Sequence, residues 1–95
     1  MIKVTVMKDR ITVKGHAGYA QAGKDIVCAG VSALTQTFIK SIEDLTVDSI
    51  QYEISPGRVD IKYGNLSEKA IIMKDSFIIG ISLIADEYPD FVRVV

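Results

Sequence analysis

"DIVCAGVSALTQTFIKSIEDL", residues 25–45, sets the architecture of the chain. Val27, Val31, Leu34, Phe38, Ile42 and Leu45 recur at spacings of three and four, one apolar stripe on a helix of about five turns. Asp25 is its N-cap, because a short carboxylate there can accept a hydrogen bond from the first helical turn. Gly30, Ala33, Thr37 and Ser41 form a flanking strip of small side chains that would let the helix lie close to a sheet. A helix with one apolar stripe must bury it against something, and the segments on either side supply the surface.

Upstream, "IKVTV" (2–6) and "ITVKG" (11–15) alternate with period two around the turn "MKDR", the pattern of a β-hairpin. Ile2, Val4, Val6, Ile11 and Val13 share one face; Lys3, Thr5, Thr12 and Lys14 share the other. Downstream, "SIQYEIS" (49–55) and "RVDIKY" (58–63) alternate around Pro56 and Gly57, which suit the centre of a type II turn. Tyr52 and Tyr63 are expected to pack within that hairpin. In "NLSEKAIIMKDSFIIGISLIADEY" (65–88), Asn65 and Glu68 have capping-box spacing, and Ala70, Met73, Phe77, Ile81, Ile84 and Tyr88 share a helical face. Ile72, Ile79 and Leu83 lie on a neighbouring face, so the apolar arc is wider than one packing surface requires. Pro89 ends that helix, and "FVRVV" closes as a strand. The order β-β-α-β-β-α-β implies an α+β fold: an antiparallel or mixed five-stranded sheet with two helices packed on one face.

The 95 residues suffice for one domain, taken as 1–95, and not for two. The formal net charge of −1, with charges scattered along the chain, removes the simplest argument for nucleic-acid binding. A single cysteine excludes an intrachain disulfide framework and a multi-cysteine zinc site, and no cofactor is called for. "MIKVTVMKDR" carries charge where a signal peptide would be apolar, and Lys74, Asp75 and Ser76 interrupt the longest apolar stretch. No membrane association is expected, and the expected compartment is the cytoplasm.

The chemistry concentrates in "GHAGYAQAGKDIVCAGVS" (15–32), which holds the only histidine and the only cysteine. With Asp25 as cap, Cys28 is the third helical residue, in the turn whose field favours an anionic sulfur. It lies at the edge of the apolar stripe, one turn before Ser32, where a nucleophile can be reached. Gly15, Gly18 and Gly23 make residues 15–24 a loop free to form a flap or to turn N–H groups toward an oxyanion. His16 ends one element and Cys28 begins the next, so a loop that doubles back joins a nucleophile to a base. Asp25 competes between capping and orienting the imidazole, and the capping role is preferred. Tyr19 stands where it would line a pocket for aromatic substrate residues. One feature opposes this reading: strict alternation puts His16 beside Thr12 and Lys14, away from the helix, so a bulge or turn at Gly15 is required.

Taken alone, His16 and Cys28 are more often ordinary structural residues, which would make the chain a binding module. A thiol redox sensor lacks a second cysteine to resolve a sulfenate. The stretch Gly15-His16, the glycine loop to Gly23, Asp25, Ile26-Val27, Cys28 and Ser32 closely resembles the signature of the bacterial ribosomal-processing cysteine proteases, the Prp family. "EYPDFVRVV" resembles that family's ending. The resemblance implies an endopeptidase with a Cys28–His16 dyad that removes the N-terminal extension of large-subunit ribosomal protein number twenty-seven during ribosome maturation. Cleavage would follow a hydrophobic, aromatic-rich segment and precede a small residue. Gly15, Asp25 and Ser32 would be supporting positions, with Gly18, Tyr19 and Gly23 near the substrate. The partners implied are the ribosomal protein precursor and a second copy of the chain, which would use the wide apolar arc of the second helix. The rival is a non-catalytic, ribosome-associated binding module.

Overall fold

The hairpins and helices form where the periodicities put them in the computed structural model, which describes residues 1–95. The elements are β1 (Ile2–Val6), β2 (Arg10–Lys14), α1 (Ile26–Leu45), β3 (Gln51–Ser55), β4 (Arg58–Lys62), α2 (Glu68–Glu87) and β5 (Val92–Val94). The sheet order is β3-β4-β2-β1-β5. All neighbours are antiparallel except β1 and β5, which run parallel with Ile2 opposite Val92, so the sheet is mixed.

Period-two alternation sends Ile2, Val4, Ile11, Val13, Ile61 and Val92 to one face, where all are buried. Both helices cover that face. Val27, Val31, Phe38, Ile39 and Ile42 come from α1, and Ala70, Phe77 and Ile81 from α2. Phe38 stacks on Phe77 with ring centroids 5.1 Å apart, which joins the helices at mid-length. Thr35 enters the stripe too, its hydroxyl donating to the Val31 carbonyl at 2.7 Å, while Leu45 at the helix end stays exposed.

Three expectations are corrected. The small residues of α1 do not line contact with the sheet: Gly30 meets α2, where a Cβ would sit 3.3 Å from Ile84 Cδ1, and Ala33 and Thr37 are exposed. The cap of α2 is Ser67, not Asn65, because Ser67 Oγ accepts from Ala70 N–H while Asp48 accepts from both the N–H and the hydroxyl of Ser67. Tyr52 remains exposed on edge strand β3, whereas Tyr63 is buried and donates to the Met7 carbonyl at 3.2 Å. The wider arc of α2 is unburied, with Ile72, Ile79 and Leu83 each more than 60% exposed. No helix is long and apolar enough to cross a membrane.

Candidate active site

The site begins where β2 stops alternating. Gly15 adopts φ +102°, a conformation closed to most L-residues, so the chain turns after Lys14 instead of extending. Two contacts hold the turn: Gly15 N–H donates to the Gly57 carbonyl at 2.8 Å, and the Met1 ammonium donates to the His16 carbonyl at 2.7 Å. A side chain at Gly15 would collide with the Met1 carbonyl oxygen. The turn re-aims the imidazole onto the β3–β4 turn, where Gly57 has φ +71°. A Cβ on Gly57 would lie only 2.8 Å from His16 Nε2. One glycine thus supplies the backbone bend and the other the space for the ring.

Cys28 is half-buried in the first turn of α1, and its sulfur accepts a hydrogen bond from Ala17 N–H at 3.3 Å. That bond ties the residue after His16 to the thiol, although no hydrogen bond joins imidazole and sulfur directly. Asp25 is the N-cap, as the sequence implies, and its carboxylate also gathers the loop. Oδ1 accepts from Cys28 N–H at 2.9 Å, and Oδ2 from Tyr19 N–H at 3.0 Å and Ala20 N–H at 3.4 Å. The Cys28 N–H above all holds the Asp25 carboxyl below its ordinary value; desolvation opposes it, and the N–H groups of Ala20 and Tyr19 add smaller lowering effects. Asp25 is therefore committed to the backbone and has no bond to His16.

Two hollows meet at this point. One, of about 590 Å³, is walled by the loop at Gly18 and Gly23 and by Asp25 and Ile26. The other, of about 220 Å³, is walled by Val13, Val31, Ile54 and Val59 beside the β3–β4 turn. His16, Cys28 and Ser32 belong to both, so the histidine and cysteine stand at the middle of one cleft. No group of three or more His, Cys, Asp or Glu is arranged for a metal ion.

Tyr19 is the sequence candidate that lies elsewhere. It lines neither hollow; its ring stands edge-on to Tyr88 at 5.5 Å and to Phe91 at 5.3 Å. The apolar wall beside His16 and Cys28 comes instead from Ile54 and Val59 of the second hairpin. Their signal was weak: Ile54 alternates like any strand residue, and only the edge position of β3 leaves it 57% exposed.

Residues 1–93 match a family model described as cysteine protease Prp. The chain is 29% identical over 92 residues to the ribosomal processing cysteine protease Prp of Mycoplasma pneumoniae, covering 97% of this chain and 91% of that one. With the protein of the same description from Staphylococcus aureus it shares 28% over 87 residues, covering 88% and 82%. Among solved structures, it resembles an essential ribosomal processing protease Prp from S. aureus in complex with a covalently linked product peptide. The TM-score is 0.89 at 24% identity, over 98% of this chain and 94% of that one. A Streptococcus mutans protein of solved structure gives 0.79 at 30% identity, over 99% and 91%.

The Asp25 bonds make the loop acid-sensitive. A carboxyl whose folded value is depressed stabilises the fold fully above its unfolded value of about 3.8, and that contribution is lost as pH falls through the lower folded value. Amide-exchange protection at Tyr19 and Ala20, relative to the unfolded chain at the same pH, should be high at pH 5 and fall only below 3.8, as pH passes through the lower folded value. In Asp25→Ala it should be low throughout; equal protection in wild type and variant would show that the carboxylate does not hold the loop.

Proposed function

The chain belongs to the Prp family of cysteine proteases, and from that premise we propose that it is the cytoplasmic endopeptidase that removes the N-terminal extension of large-subunit ribosomal protein number twenty-seven. The observation that carries this reading is a pair of adjoining hollows with His16 and Cys28 in their shared wall. An extended peptide fits the cleft they form, with its hydrophobic, aromatic-rich segment against Ile54 and Val59 or along the loop hollow and its small residue beyond the sulfur.

His16 takes the Cys28 proton, and the sulfur attacks the scissile carbonyl carbon. Charge then develops on the carbonyl oxygen. Gly18, whose N–H has no internal acceptor, stands in the cleft wall as a donor for it. Collapse breaks the C–N bond as the imidazolium protonates the leaving amine. Water, deprotonated by His16, attacks the thioester and returns the thiol. The apo site has no Cys28–His16 hydrogen bond, so substrate must draw the two together, as catalytic contacts commonly tighten in the Michaelis complex. Asp25 and Ser32 act by position: Asp25 fixes the helix start and the loop, and Ser32 borders the cleft one turn below the sulfur. Exposed Ile72, Ile79 and Leu83 supply a face for a second copy of the chain.

A synthetic peptide copying the extension junction tests the protease. Wild type should cut it, Cys28→Ala should not, and His16→Ala should lose about 10²- to 10⁴-fold in kcat/KM while remaining folded. Binding without cleavage by wild type would leave a non-catalytic ribosome-associated module. Sedimentation tests the pairing: wild type should run as a dimer and Ile79→Asp as a monomer, and a monomeric wild type would dismiss it.

A further inference from the structure

The helix-free face of the sheet breaks a local rule. Lys3 stands directly opposite Lys14 on one side and Arg93 on the other, and Lys14 directly opposite Arg58. Arg10 likewise faces Lys62. Like charges opposed across strands destabilise a sheet, and four such pairs lie on one face. Period-two alternation puts Lys3, Arg10, Lys14, Arg58, Lys62 and Arg93 on this face, with only Asp60 and Glu53 as acids, a net of 6 − 2 = +4. The whole chain is −1, so the remainder carries −1 − 4 = −5. The overall charge hides a segregation between faces.

Asp60 relieves one end of the face only. It pairs with Arg58 at 2.7 Å and Arg10 at 3.6 Å and accepts from Thr12. Lys3, Lys14 and Arg93 are exposed and have no acidic partner. With Arg58 they make a row across four adjacent strands, a cation every ~4.8 Å. Local rules broken without compensation mark functional positions.

We infer that this row is a docking surface for the phosphate backbone of RNA. Tyr and Phe side chains are absent from the face, so there is no platform for base stacking, and binding is by charge and independent of sequence. The choice of RNA among polyanions rests on the proposed ribosomal substrate. The geometry suits that role: Lys14 lies two residues before His16 and Arg58 follows Gly57, so RNA held on the outer face leaves the cleft open on the helix side. The enzyme would engage its substrate on ribosomal RNA, where that substrate protein is assembled.

The test needs no proteolysis. Fluorescence anisotropy with a labelled single-stranded RNA, from 50 to 300 mM salt, should give a slope of log K against log salt near −3, about 0.7 for each of four cations. The triple variant Lys3→Gln, Lys14→Gln, Arg93→Gln should lose about two of those units, while Lys40→Gln, Lys69→Gln, Lys74→Gln on the helices should lose almost none. Both triples should cut the junction peptide as wild type does, so a failed protease reading and a failed RNA reading are told apart. Absence of RNA binding at 50 mM salt, equal losses in the two triples, or binding to phosphatidylglycerol vesicles in place of RNA would each overturn the inference.

Discussion

The site depends on a single backbone angle. If Gly15 continued the β2 alternation, His16 would project beside Thr12 and Lys14 on the helix-free face, with the sheet between it and Cys28. The positive φ of Gly15 turns it past the end of β2 instead. Glycine takes such an angle freely, and contacts from distant parts of the chain select it here: the first residue on one side and the β3–β4 turn on the other. Met1 leaves no room for a side chain at Gly15, and His16 leaves little at Gly57. The antiparallel register of β1 with β2 and that of β2 with β4 matter to the site because they deliver those two neighbours.

The cysteine is placed by a different device. The N-cap of α1 fixes where the helix starts, and hence which residue occupies its third position. The same carboxylate reaches back to Tyr19 and Ala20, so helix start and loop are one unit. The far side of the loop is held by the T-shaped packing of Tyr19 on Tyr88 and Phe91, each such pair worth about 0.5–1.5 kcal/mol beyond its buried area. That contact gives "EYPDF" a purpose: Pro89 ends α2 and the chain folds back through the Phe91 N–H to Tyr88 carbonyl bond, presenting two rings to the loop.

Periodicity made the sheet and both helices legible, because alternation and the three-four spacing report directly on which side chains are buried. The need for a turn at Gly15 was legible as a contradiction, since His16 fell on the wrong face. What escaped was set by contacts between segments far apart in sequence. Ser67 outcompetes Asn65 as cap because Asp48 binds it, and the glycine of α1 meets α2 rather than the sheet because the helices lie side by side. Tyr19 is drawn from the cleft by rings some seventy residues on, which no local pattern announces. The charge segregation escaped because summed charge carries no direction; only strand register reveals that the cations share a face.

The central claim is that the turn at Gly15 makes His16 and Cys28 one chemical unit. The rate at which iodoacetamide alkylates Cys28 at neutral pH tests it without assuming a substrate. In folded protein, His16→Ala and Gly15→Ala should each slow alkylation relative to wild type, the first by removing the base and the second by displacing it. If all three thiols react at the same rate while the folds remain intact, the histidine does not serve the cysteine and the account fails.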